Sequence, residues 1–97
     1  MGSSKSTNTL ATVGLCKRAG KITAGFDAVV QDIEKVAGVI AASDLSEKTK
    51  KELVYHCAKH NKNIITINHT MDEIKDVIGK RTGIIAILDE GLYSIFK

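Results

Sequence analysis

The chain has 97 residues, 43% hydrophobic and 26% charged, with a net charge of +3 and a pI near 8.9. That length fits one domain around one core, and the composition excludes a wholly disordered chain and, with apolar runs of only a few residues, a membrane-spanning one. Aromatic content of 4% without Trp argues against a platform of several exposed rings for single-stranded nucleic acid, and two cysteines make no disulfide framework.

Residues 1–8 are rich in Gly, Ser and Thr, lack the apolar run of a signal peptide and read as a flexible N-terminus; 9–97 reads as a single domain. Leu10, Val13 and Cys16 recur at helical spacing, with Asn8 or Thr9 as cap and Gly20 as stop. Lys17 and Arg18 fall in the last turn, where cations oppose the helix dipole. Lys21 to Ala24 alternates polar and apolar, a stub of strand. Phe26, Val29, Val30, Ile33 and Val36 or Ala37 make the stripe of a second helix, started by Thr23 or Gly25, with Asp27 in its first turn. Val39 to Ala42 is apolar on both faces and suits a central strand.

Ser46 opens a third helix with Leu53, Val54, Cys57 and Ala58 as its inner face, and Asn61 suits a left-handed stop. Ile64 to Ile67 is β-branched and reads as a strand. Thr70 with Glu73 three residues later is a capping box for a helix with Ile74, Val77 and Ile78 inward and Gly79 at its end. A basic turn, Lys80 to Gly83, leads into a buried strand from Ile84 to Leu88. Asp89 to Gly91 then turns the chain into a short helix from Leu92 to Phe96. Helices and strands alternate throughout, so the fold class is α/β with helices on both faces of a small sheet. Cys16 and Cys57 lie in apolar-periodic segments as small buried hydrophobes, which fits a reducing, cytoplasmic compartment.

No motif for a cofactor or a catalytic site emerges. Gly14 and Gly20-Lys21 miss the P-loop, since five residues separate the glycines and Ile22 follows the lysine. No G-x-G-x-x-G run exists for a dinucleotide. His56 and His60 share a helix face, but Cys57 stands where a zincin helix needs Glu, so they read as surface histidines. Asp72, Glu73 and Asp76 are explained by helix capping, the helix dipole and solvation, and Asp89-Glu90 by turn chemistry. No nucleophile–base pair supports an enzyme.

Charge is what remains. Residues 1–26 hold four basic side chains and no acidic one, whereas the rest of the chain holds ten basic and eleven acidic. Lys17, Arg18 and Lys21 run directly into the glycine-bearing helix start at Gly25. Backbone N–H groups there have no partner inside the helix, and glycine permits a close approach. The bland reading of Lys17 and Arg18 is compensation of their own helix dipole. Lys80 and Arg81 form a second basic turn, between a helix and a strand, that can neighbour the first. The whole reads as an edge that faces phosphate or nucleic acid.

Gly14-Leu15-Cys16-Lys17-Arg18-Ala19-Gly20-Lys21 resembles the GLAxRAGKL signature of the short bacterial, YlxQ-type relatives of the kink-turn-binding ribosomal proteins. The similarity continues through Gly25, through Val39 to Asp44 as LVLLAxD, and through Ser46 to Leu53 as SENTKKKL; it spans about residues 9–92. The resemblance implies a three-layer α/β/α sandwich around a four-stranded mixed sheet. It also implies binding to a sharply bent RNA with sheared G·A pairs. In archaeal and eukaryotic members the second helix opens with Gly, any residue, Asn, Glu, two residues and Lys. Here Gly25 is kept, Asp27 stands where Asn reads a base edge, Ala28 where Glu does, and Gln31 where Lys does. Asp lacks the amide donor, Ala makes no hydrogen bond and Gln carries no charge, which favours recognition by shape and phosphate over base readout.

The resemblance and the residues together lead to the expectation of a non-enzymatic, cytoplasmic binder of a kinked structured RNA, ribosome-associated and without cofactor, membrane or small-molecule substrate, and a monomer rather than an obligate oligomer. Lys17, Arg18 and Lys21 engage phosphates, Gly25 permits close approach, and the amides of Phe26 and Asp27 donate to RNA. The place of Phe26 in the apolar stripe favours the alternative that its side chain lies in the core. The turn holding Lys80, Arg81 and Thr82 is similar to the family loop that touches the RNA bulge. The alternative is a protein-interaction module on the same fold that has lost specific RNA readout.

Overall fold

The computed structural model describes residues 9–97, and the helix that opens it, α1, is bounded Gly2–Arg18. There follow β1 (Ile22–Ala24), α2 (Phe26–Gln31) with a 3-10 turn at Ile33–Lys35, and β2 (Gly38–Ala41). Then come α3 (Glu47–Lys59), β3 (Ile64–Thr66), α4 (Met71–Ile78), β4 (Ile84–Ile87) and α5 (Glu90–Ser94). The expected flexible segment 1–8 and the cap at Asn8 lie outside the described residues, and Thr9 lies inside α1 rather than at its cap.

Among the described residues the strands form one mixed sheet in the order β1-β4-β2-β3. β4 runs antiparallel to both β1 and β2, and β2 pairs in parallel with β3. Side chains alternate across the pleat, so the central strands β2 and β4 feed two cores. Val39, Ala41, Ile84 and Ala86 meet Val29, Ile33, Val36, Leu53 and Cys57 from α2, its 3-10 extension and α3. Ile40, Ala42, Ile85 and Ile87 meet Val13, Cys16, Ile74, Ile78 and Tyr93 from α1, α4 and α5 on the other face. The result is the three-layer α/β/α sandwich.

Local chemistry sets most boundaries. The Ser46 hydroxyl accepts from the Thr49 N–H at 3.2 Å. At α4 the Thr70 N–H donates to Glu73 Oε1 at 2.9 Å, while Thr70 Oγ1 accepts from the Glu73 N–H at 3.3 Å. Asn61 takes φ 58 and Gly79 φ 82, both in the left-handed region that ends helices. Gly38 is fixed differently: a Cβ there would fall inside the Tyr93 ring, which lies against the bare backbone of β2.

Three expectations change. The second helix stops at Gln31 and tightens into the 3-10 turn; residues three apart eclipse in that geometry, so Ile33 and Val36 still reach the core. Val54 and Ala58 turn outward, because the buried seam of α3 runs through Leu53 and Cys57. The last helix starts at Glu90 rather than Leu92, since Asp89 Oδ1 caps it by accepting from the Leu92 N–H at 2.9 Å.

Candidate nucleic-acid interface

β1 is an edge strand, and its C-terminal end carries the helix start singled out by the sequence. The Gly25 N–H donates to the Ile84 carbonyl at 2.9 Å, which ties the corner to β4. Gly25 then takes φ 100 and ψ 148, a conformation that essentially only glycine adopts. It caps α2 without a side-chain hydrogen bond to the first amides of the helix.

The second basic segment arrives at this corner. Gly79 reverses the chain at the end of α4, and the Lys80 ammonium donates to the Ala24 carbonyl at 3.2 Å across 56 positions of sequence. The same ammonium lies 3.2 Å from where a Cβ on Gly25 would stand. A neutral carbonyl is its partner, so the positive charge is not cancelled. Thr82 shapes the turn from within: its hydroxyl accepts from the Ile84 N–H at 3.2 Å and donates to the Ile84 carbonyl at 3.3 Å.

Arg81 is placed otherwise. Its Nε donates to Asp72 Oδ1 at 2.8 Å, and its Nη1 lies 3.9 Å from the Met71 sulfur. The hydrogen bond and charge of Asp72 push the guanidinium pKa further up, with Asp44 adding to the field. Asp44 itself accepts from the Met71 N–H at 3.0 Å. Arg81 thus stands over an acidic helix start that offsets its charge.

Lys21 sits at the far end of β1, where its carbonyl accepts from Leu88. Gly25 follows it by four extended residue steps, about 13 Å along the edge. Lys17 and Arg18 are exposed in the last turn of α1, and the Arg18 guanidinium folds back over Gly14. Asp27 and Gln31 are exposed on α2. Phe26 is half-buried, packs against the α2–α3 core and meets His56 edge-on with centroids 5.8 Å apart. The structure therefore brings together Gly25, Lys80, Thr82 and the opening of α2, spreads Lys17, Arg18 and Lys21 along the neighbouring edge, commits the Phe26 ring largely to packing and pairs Arg81 with Asp72. Neither the Lys80–Ala24 bond nor the Asp72 partner has a local sequence signal.

Other chemistry is thin. Among the described residues no three His, Cys, Asp or Glu side chains gather into a metal site, and no helix is long and apolar enough to cross a membrane. Burial raises the pKa of both thiols, with the Asp89 charge adding to the shift at Cys16, so both stay protonated and unreactive.

These features define a small three-layer α/β/α domain with a basic corner at one sheet edge. A solved structure of a Bacillus halodurans protein of unknown function shares the architecture, with a TM-score of 0.78, 26% identity and coverage of 90% of this chain and 94% of that one. A Giardia lamblia 15.5 kD RNA-binding protein superposes with a TM-score of 0.75 over 96% of this chain and 82% of that one; at 16% identity it speaks for the fold alone. No protein-family model matches the chain. The RNA-binding protein YlxQ of Enterococcus faecium is 33% identical over 81 residues, which are 81% of this chain and 78% of that relative. The chain belongs to the YlxQ family.

Proposed function

We propose that this chain is a non-enzymatic RNA-binding protein that recognises a kinked, structured RNA by shape and phosphate, in the cytoplasm, as a monomer and in association with ribosomal RNA. One observation carries the reading: an ammonium with no carboxylate partner, Lys80, seated on the backbone at the opening of α2, in the space that the absent side chain of Gly25 leaves to it. The name of the YlxQ relative supports RNA as the partner. The motif similarity at Gly14 to Lys21 and Ser46 to Leu53 supports a bent duplex. Asp27, Ala28 and Gln31 supply little base readout, so phosphate and helix-terminal contacts dominate.

Titration against a kink-turn duplex and a straight duplex of equal length tests this. The kinked RNA is expected to bind tighter, with log affinity falling against log salt at a slope of roughly −2 to −4 for three or four phosphates. Lys80→Glu and Lys21→Glu weaken binding. Equal, weak binding to both duplexes, or a flat salt response, overturns the proposal. The same departures at Asp27, Ala28 and Gln31, together with the Asp72–Arg81 pair, favour a second reading as a protein-interaction module. On that reading Lys21→Glu and Arg81→Glu leave function intact.

A further inference from the structure

α3 has an outward face that the corner does not explain. Leu53 and Cys57 fix its inner side. At 3.6 residues per turn, Tyr55 points nearly opposite to them, and Lys48, Lys51 and Lys59 fall within roughly 60° of its direction. Tyr55 is 63% exposed, and Val54 beside it is 47% exposed. Lys48, Lys51 and Lys59 are exposed and, among the described residues, held in no ion pair. Glu47 lies in the first turn, where the helix dipole accounts for it, and Glu52 flanks the stripe. Within that window three lysines stand against the one carboxylate of Glu52, so the face is net positive.

The face is also continuous with the corner. The Tyr55 ring meets His56 edge-on at 5.3 Å, and His56 meets Phe26 at 5.8 Å. Phe26 is the first residue of α2, directly after Gly25. A row of rings therefore leads from the basic corner to the crest of α3, and its last ring is open to solvent with ammonium groups around it. An aromatic face ringed by uncancelled cations matches the two parts of a nucleotide, a base that stacks and a phosphate that pairs.

We propose that the outward face of α3 is a second RNA contact, at which an unpaired nucleotide adjoining the folded RNA stacks on Tyr55 while Lys48, Lys51 and Lys59 hold its flanking phosphates. One ring serves one or two bases, not a long single strand. The inference rests on the RNA-binding reading above and adds to it the class of RNA, a bent duplex with a single-stranded extension.

The experiment compares the full chain on a blunt kinked duplex with the same duplex bearing a short single-stranded extension. The extension is expected to tighten binding by about fivefold or more, as for one stacked base. It also steepens the salt slope by roughly 0.7 for each added phosphate. Tyr55→Ala loses that gain and leaves blunt-duplex affinity unchanged; Tyr55→Phe keeps it, because the ring and not the hydroxyl does the stacking. An extension without effect on the wild type, or an equal gain in Tyr55→Ala, overturns the proposal. Failure to bind the blunt duplex is instead a failure of the general RNA reading. The two are separated by tyrosine emission: the chain has no Trp, and Tyr93 is 1% exposed, so a free hexanucleotide that stacks quenches Tyr55 alone. Quenching by the hexanucleotide supports the contact. Quenching by a polyglutamate peptide and not by the hexanucleotide overturns it in favour of a protein partner.

Discussion

Gly25→Ala separates backbone strain from side-chain crowding at the corner. Its φ of 100 with ψ 148 lies where a Cβ is not tolerated, which costs about 1–3 kcal/mol. The new Cβ would also stand 3.2 Å from the Lys80 ammonium. That atom ends a flexible side chain, so it swings away and gives up its exposed bond to the Ala24 carbonyl, worth about 1 kcal/mol or less. For a domain of this size each kcal/mol moves Tm by about 4–8 °C. Urea and thermal unfolding of Gly25→Ala, Lys80→Met and the double variant measure both parts. The strain is expected to persist in the Lys80→Met background, where the cost of Gly25→Ala falls by no more than the worth of the lost bond. A cost that vanishes once Lys80 is gone would refute the assignment to φ, and so would an undiminished Tm in the single variant. Because Lys80 is displaced, Gly25→Ala also weakens RNA binding more than its stability loss explains.

Gly38→Ala places a methyl inside the Tyr93 ring and is expected to cost about 3 kcal/mol or more in urea unfolding. Tyr93→Phe, by contrast, removes a buried hydroxyl that meets the Val39 backbone without a well-formed hydrogen bond, and should change stability little. Thr70→Ala removes the cap of α4 at about 1 kcal/mol. The Glu73 carboxyl is held below its ordinary value of 4.5 by the Thr70 N–H first and His69 second. A lowered folded pKa means that its contribution is complete above pH 4.5 and is lost as pH falls through the lowered value. The stability gap between wild type and Glu73→Ala, measured by thermal unfolding from neutral pH downward, therefore narrows only under acid.

What the sequence made legible was local. Thr70 and Glu73 announce a helix start because the reciprocal bonds lie within one turn, and Ser46, Asn61 and Gly79 mark boundaries for the same reason. The buried sheet was legible because Val39 to Ala42 and Ile84 to Ile87 are apolar at every position, which demands cover on both faces. Val54 misled because it adjoins Leu53 in an apolar pair; both cannot face the sheet, and only docking against Val29, Val39 and Ile84 decides which one does. Gly38 admits a ring from a residue 55 positions later, a contact with no local trace in the sequence.

The corner shows why charge counting stops short of a site. Lys80 and Arg81 are adjacent and formally equal, and both belong to the basic turn read from the sequence. The fold gives them different partners. Lys80 reaches a backbone carbonyl, which orients the ammonium without cancelling it, and so holds a full positive charge beside the opening of α2. Arg81 reaches Asp72, which takes its hydrogen bond and offsets its field. An anion arriving at the corner meets Lys80 at no electrostatic expense, but must compete with a carboxylate for Arg81. Exposure weakens that pair, so the competition is modest and grows weaker with salt. Asp72→Asn is then the change that would convert Arg81 from a paired cation into a free one, raising affinity for RNA if the turn touches it and leaving affinity unaltered if Lys80 alone does.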